Sequence, residues 1–340
     1  MNQQLSIPIT KDFNTNDFLI SLTHRISEHI AQNFIKISNR CEKHSMNNFD
    51  LHFLNKSIRK IPKKAESTLI ASIDSSCIPI ASSNKGVAIA TRATIVFFKD
   101  KKTHGYLKIG PFMLYINESN IQDFLNLNEA KLYSNVLNDI EIIQRLIRIK
   151  IERFIQFELA KSLSKALILI DGSLKPSIFE DSKISLAKII ETSLSNNNAC
   201  VGICKSSKII IFNKFADILN ISKGAPFYLD VSDLTNNFVK GLAGRILLTK
   251  FMDDGIPLRV DIAHFDLQIC EEILSKVYSN DVFCRGYPES LRLAHHFSVF
   301  SETEYVGMCS YVLKDLGMSG YENHRQTLLS HISFARHVAR

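Results

Sequence analysis

Apolar positions recur at helical spacing from Asp17 to about Ser38 (Phe18, Leu19, Leu22, Ile26, Ile30, Phe34 and Ile37), which predicts an amphipathic helix at the N-terminus. The pattern then changes. STLIASIDSS and KGVAIATRATIVFF are dense in β-branched and apolar residues and are separated by SSNKG, so they read as two strands joined by a turn. YLKIGPFMLYI extends that sheet, with Gly110-Pro111 marking a bend or an edge. Between about Ile121 and Leu163 the periodicity is helical again. The last of these helices starts near Asp139, carries Ile143, Leu146, Ile147, Ile151, Phe154, Ile155, Leu159 and Leu163, and leads directly into ALILIDGSL.

After the Ser/Asn-rich SLSNNNA, strands are expected at ACVGIC and KIIIF, a helix at NKFADILN, and further strands at PFYLDV, GRILLTKFM and PLRVDIA. The chain closes with a helix over DLQICEEILSKV, a short apolar segment ending in CRGYP, a helix through His295 and a basic C-terminal helix. Strands, a helical insertion, then strands and helices again predict one α/β domain built on a mixed sheet with flanking helices.

Composition narrows the class. With 340 residues, 45% hydrophobic and 22% charged, the chain suits a folded globule. No run approaches the roughly 18 apolar residues of a membrane span, and MNQQLSIPITKDFNTND lacks a signal-peptide pattern, so a cytoplasmic protein with no membrane partner is expected. Seven scattered cysteines read as reduced thiols. Cys200 and Cys204 have no second Cys or His pair at zinc-site spacing. The net charge of +7 leans towards a polyanionic partner, and Lys56, Arg59, Lys60, Lys63 and Lys64 form a candidate phosphate track.

Two apolar strands, LIASI and ALILI, each end in an aspartate followed by small residues: Asp74-Ser75-Ser76 and Asp171-Gly172-Ser173. Carboxyl ends of strands are where α/β sheets bind ligands, and small neighbours leave room for a metal and for phosphate oxygens. Either aspartate alone would pass for an ordinary turn starter. A third carboxylate is expected from the preceding helix. About 17 Å of strand matches about eleven helical residues, which points to Glu152, with Glu158 left open. Three carboxylates favour Mg²⁺ or Mn²⁺ over zinc and suit phosphodiester hydrolysis. In RGYPESLRLAHHF, Tyr287 at the turn and His295 two helical turns on are placed to face one cleft.

With these residues assembled, the chain resembles the NurA nuclease family, DNA-end-processing nucleases that work with the HerA helicase-translocase. The matching points are IDSS in place of the family's usual Asp-Gly-Ser, the helical glutamate, LIDGSL, VGICKSS, PLRVDIA and GYPESLRLAH, which in order cover about residues 68 to 300. The resemblance implies an RNase H-like core and metal ligation by Asp74, Glu152 or Glu158, Asp171 and His295. Tyr287 would line the site and Lys205 would contact phosphate. It also implies Mn²⁺ dependence (Mg²⁺ as the alternative), 5′-to-3′ exonuclease and single-strand endonuclease activity, and a homodimer docked on a hexameric HerA-type ATPase. The domain expectation is an N-terminal segment 1–67, a nuclease domain 68–310 with a helical insertion at about 117–164, and a C-terminal extension 311–340, the two termini serving as dimer or partner contacts. Ser75 departs from the family's glycine. That departure keeps a catalytically inactive RNase H-like DNA-binding or HerA-ring adaptor protein as the alternative. Other phosphoryl-transfer enzymes, such as an RNA-directed endonuclease or a kinase-like ATPase, fit less well, since the 13 glycines form no P-loop.

Overall fold

The computed structural model describes residues 57–63, 66–83, 85–121, 139–177, 180, 184–205, 210–235, 241, 243–316 and 319–320; at 210, 211, 213, 214, 234, 235, 313–316 and 319–320 it describes the backbone alone. The expected N-terminal helix over 17–38, the basic C-terminal helix, Lys56, Lys64 and the first part of the helical insertion lie outside the described residues.

The sheet grows from a long meander. β2 (Ile70–Ser83), β3 (Gly86–Lys99) and β4 (Lys102–Asn117) are mutually antiparallel, with Ser83 opposite Gly86 at the first turn. β4 is a sheet edge, and its register against β3 shifts between Thr91 and Ala93, where Gly110-Pro111 falls. β5 (Leu167–Asp171) pairs parallel to β2, and β6 (Ala199–Cys204) parallel to β5. Antiparallel β9 (Leu258–Ile262), β8 (Arg245–Lys250) and β7 (Phe227–Asp230) continue outward to β1 (Arg59–Lys60). This is an RNase H-like mixed sheet extended on its β6 side.

Helices cover both faces. α1 (Ile140–Ser162) is started by Asp139, whose carboxylate accepts from the Glu141 and Ile142 amides, satisfying donors that a helix start leaves unpaired. Its apolar stripe (Ile143, Leu146, Ile147, Ile155, Leu159) packs against β2 and β3 beside α2 (Leu186–Ser195). Each such burial contributes about 1.5–3 kcal/mol. On the opposite face lie α5 (Leu267–Asn280), α6 (Glu289–Ser298) and α7 (Glu302–Leu316), with α6 over β2 and β3. α3 (Ile210–Ile221) contacts β8, and α4 (Ser232–Thr235) is one turn. No helix among the described residues is long and apolar enough to cross a membrane.

Four expectations change. The last three residues of KIIIF are helical and open α3, because Phe212, Phe215 and Leu219 bury one face at helical spacing. The boundary expected at 310 falls inside α7, whose Val312 is buried with Ile80 and Ala81. Two members of the basic cluster close the sheet edge instead of lying free. Arg59 pairs with Glu271, and Lys60 bonds the Gly224 carbonyl and lies over Phe227. Asp74, finally, is not at the end of its strand, since β2 runs nine residues further.

Candidate active site

The position of Asp74 is set by where its neighbour stops. The parallel pairing runs from Ile70↔Leu167 to Ile73↔Ile170, so Asp74 follows the last paired residue on β2 as Asp171 does on β5. The two aspartates therefore sit side by side where the parallel pair ends, even though β2 itself continues with β3. Asp74 is 2% exposed. Asp171 is half-buried, and its loop is held in place by several contacts. The Gly172 amide donates to the Ile203 carbonyl (2.9 Å), and the Leu174 amide donates to Asp261 Oδ2 (3.0 Å). Gly202 lets the loop approach: a Cβ there would lie 2.5 Å from the Gly172 carbonyl oxygen.

Alternation along β2 divides the surroundings between the faces. Ser72 and Asp74 face α6, and Ser75 faces α1. His295 on α6 brings Nδ1 to 2.6 Å from Asp74 Oδ2, leaving Nε2 on an exposed ring. Its helix is pinned below the histidine by a buried polar chain. The Ser290 hydroxyl lies 2.6 Å from that of Ser72 and donates to Asp281, which also accepts from the Ser290 amide. Pro288, at the N-cap of α6, offers no side-chain bond, so Asp281 caps the helix from outside.

From the other face, Glu152 reaches the edge of the same site. The Ser75 hydroxyl donates to Glu152 Oε1 at 2.5 Å, and the Arg148 guanidinium lies 3.6 Å from both Glu152 Oε1 and Asp74 Oδ1. Burial pushes the Glu152 carboxyl up to about 7, against the opposing effects of Ser75 and Arg148. Glu158 is six residues, roughly 9 Å, further along α1. It pairs with Lys161 in solvent. The structure thus leaves Glu158 outside the site.

Asp171 has its own partners. Tyr287, on the two-residue strand β11 (Tyr287–Pro288) paired with β10 (Phe283–Cys284), donates its hydroxyl to Asp171 Oδ1 (3.1 Å). Burial and the charges of Asp171 and Asp74 raise the phenol well above its ordinary range, so it remains a donor. Lys205 Nζ is 2.8 Å from Asp171 Oδ2 and 5.0 Å from the Tyr287 ring centroid. Of the candidate site residues, Asp74, Glu152, Asp171, Lys205, Tyr287 and His295 are thus brought together, and Glu158 is not.

The donor set, three carboxylates and one imidazole nitrogen, is of the kind that Mg²⁺ or Mn²⁺ takes. As arranged, the carboxylates are turned onto Arg148, Lys205 and His295, and among the described residues no three acidic, histidine or cysteine side chains form a ready metal cluster. Arg148 between Asp74 and Glu152 shows that the pocket already accommodates a cation there, so the residues fit such an ion in charge and chemistry. Cys204, beside Asp171 and Asp261, is a buried thiol whose pKa is pushed up to about 12 by burial, and it contributes no anion.

Comparison with known proteins gives the family and the fold. Residues 68–300, more than half of the chain, match the family model described as the NurA domain. The chain belongs to the NurA family. Among solved structures, the NurA nuclease from Sulfolobus solfataricus superimposes with a TM-score of 0.51 at 15% identity, covering 86% of this chain and 97% of that one. A NurA bound to dAMP and manganese gives 0.52 at 11% identity, covering 89% and 99%. No curated protein sequence matches the chain. The NurA match spans the Asp74, Asp171, Tyr287 and His295 segments that the fold brings together.

Arg148, Asp261, Ser290 and Asp281 were not singled out from the sequence, and Ser75 was marked there only as a departure from glycine, not as a partner of Glu152. Arg148 had a legible signal, since it lies one helical turn from Glu152 at i, i+4 spacing. The others depend on contacts distant in sequence.

Proposed function

We propose that this NurA-family chain is a divalent-metal-dependent DNA nuclease that cuts phosphodiester bonds, with Mn²⁺ the preferred ion and Mg²⁺ the alternative. The observation that carries the reading is the pairing of Asp74 and Asp171 at the end of the parallel strands, met by Glu152 from one face of the sheet and His295 from the other. The manganese and dAMP bound by a relative of the same fold support it.

Asp74, Glu152, Asp171 and His295 would hold the ion. When bound, such an ion lowers the pKa of an attacking water and stabilises the leaving oxygen. The protein supplies the rest. Tyr287 keeps its proton and orients Asp171. Lys205, half exposed, paired with Asp171 and lying over the Tyr287 ring, can turn to a phosphate oxygen. The buried Ser72–Ser290–Asp281 chain fixes the helix that carries His295. In this reading the protein is cytoplasmic and acts on single strands and duplex ends, as a 5′-to-3′ exonuclease and single-strand endonuclease. It works as a homodimer with a HerA-type hexameric ATPase in double-strand break end resection.

The test is cleavage of labelled single- and double-stranded DNA in Mn²⁺, Mg²⁺ or EDTA. Wild type should cut only with metal, and Asp171→Ala should cut at least a hundredfold more slowly, the order lost when a central electrostatic group is removed. Equal cutting by the variant, or activity in EDTA, overturns the reading. A second reading, a DNA-binding or HerA-ring adaptor without catalysis, draws on the engagement of the carboxylates by Arg148, Lys205 and His295. It predicts DNA binding with no cutting under any of these conditions.

A further inference from the structure

Beside the carboxylates lies a groove of about 550 Å³ between the N-terminal half of α1 and the segment 171–177. Its inner end is Glu152 and Asp171. Its walls carry Arg145 and Arg148 on the helix and Lys175 on the segment opposite. Arg145 and Arg148 are one turn apart, about 5–6 Å between their Cβ atoms, and so present their guanidinium groups on one side. All three cations are exposed. Arg148 leans on Asp74 and Glu152, whereas Arg145 and Lys175 have no ion-pair partner among the described residues. Arg153, also at the groove, is committed elsewhere: it pairs with Glu180, which in turn accepts from the Ser177 and Leu186 amides and braces the far wall. Among the described residues, Glu141 is the one acidic residue lining the groove away from the carboxylate end.

The floor is open where a backbone would pass. Gly172 has a φ of +128°, and nothing lies within 4 Å of where its Cβ would be. A side chain is disfavoured there on conformational grounds, and the vacated space faces the groove. A volume of this size suits one or two nucleotides and not the cross-section of a duplex.

We propose that this groove seats the phosphodiester backbone of a single DNA strand, with Arg145 and Lys175 as its phosphate contacts and Arg148 as the cation at its inner end. The inference rests on the nuclease reading for what happens at the carboxylates, but the binding it describes needs no metal and no cutting. Two cations on opposite walls with no ion-pair partner among the described residues, converging on a carboxylate cluster that cannot itself attract a polyanion, are what make the groove an entry path for phosphate.

The experiment measures binding of a fluorescent oligothymidylate to the full chain in EDTA across a salt series, with Arg145→Ala/Lys175→Ala against wild type. Each lost phosphate contact removes about 0.7 from the slope of log K against log salt for a single strand, so the double variant should lose roughly 1.4 and bind about ten- to thirtyfold more weakly at 0.1 M salt. Two comparisons separate this from a loss of bulk charge. Lys161→Ala/Lys188→Ala, which removes the same net charge from surface pairs outside the groove, should keep the wild-type slope, and Arg145→Lys/Lys175→Arg should restore it. A groove variant that binds with the wild-type slope, or a control pair that loses as much, overturns the proposal. Cleavage measured in parallel keeps the two readings apart. A chain that shows the groove-dependent slope yet never cuts with any divalent metal refutes the nuclease and leaves the groove standing. A chain that cuts while the groove variant binds normally does the reverse.

Discussion

Asp261→Asn should unfold this protein more easily than any substitution at its surface. The carboxylate of Asp261 is fully buried and accepts three bonds, from Arg259 Nε (2.7 Å), from the second Arg259 guanidinium nitrogen (2.8 Å) and from the Leu174 amide (3.0 Å). Arg259 is itself 8% exposed and lies over the Phe212 ring. An asparagine keeps one acceptor and turns an NH₂ group towards a donor, leaving the guanidinium buried without its counter-charge. Breaking a buried pair in this way costs about 3–5 kcal/mol, a large share of the 5–15 kcal/mol that holds a typical domain together. Removing the charge as well, in Arg259→Met/Asp261→Asn, should recover most of that loss, because what remains is mainly a weakened bond to Leu174, about 1 kcal/mol. Urea unfolding of the wild type, both single variants and the double, fitted with a common m value, gives the coupling, expected at about 2 kcal/mol or more. An Asp261→Asn loss below about 1 kcal/mol, or a double variant as unstable as the sum of the singles, would refute the reasoning. Because Leu174 closes the loop that begins at Asp171, the same substitution should also loosen the candidate site.

Gly202→Ala would push a methyl to 2.5 Å from the Gly172 carbonyl oxygen and 3.1 Å from the Leu174 amide. Both contacts are backbone or close to it, so we expect a thermal midpoint several degrees lower and reduced DNA cutting; an unshifted melting curve would count against the tight approach. Ser290→Ala removes a hydroxyl that joins Ser72 to Asp281, and should cost about 1–3 kcal/mol in denaturant unfolding. A neutral result would mean the chain does not pin α6. Burial pushes the Asp281 carboxyl up to about 6 from an ordinary 3.8. The folded state therefore holds this proton more tightly than the unfolded state does. Stability from this group is full below about pH 4 and declines as pH rises through about 6, by about 3 kcal/mol. Denaturant midpoints between pH 4 and pH 7 should show Asp281→Asn lacking that fall, and parallel profiles would exclude the assignment.

The meander was legible because β-branched runs on either side of SSNKG carry both the strand and the turn chemistry. α1 was legible for a similar reason: its apolar stripe and Asp139 cap agree. KIIIF was not, because a five-residue apolar run has no period of its own, and only the wider window from Phe212 to Leu219 shows the buried helical face. α7 went unread because its buried side faces the part of β2 beyond Asp74, which the sequence reading did not treat as strand. That error had one origin. Ser75 and Ser76 look like a strand ending in a turn, whereas a strand flanked by another along its whole length tolerates polar residues where they line a site.

The same serine contacts Glu152 and not Glu158, the two glutamates that helix geometry alone left open. Counting residues back along α1 puts Glu152 level with the end of β5, but a helix can rotate a carboxylate away from any level. What fixes Glu152 is that Ser75, pointing to the α1 side of β2, donates to it, while Arg148 joins it to Asp74 from one turn earlier. A glycine at this position would have no hydroxyl to give, so Ser75 does not argue for a disabled site. It adds a bond to a buried carboxylate that burial and Asp74 would otherwise press towards its neutral form. A substitution that removed function would be expected to leave the acidic groups unheld or replaced. Here Asp74, Glu152 and Asp171 all remain beside His295, and the extra hydroxyl binds the carboxylate whose position the sequence specified least.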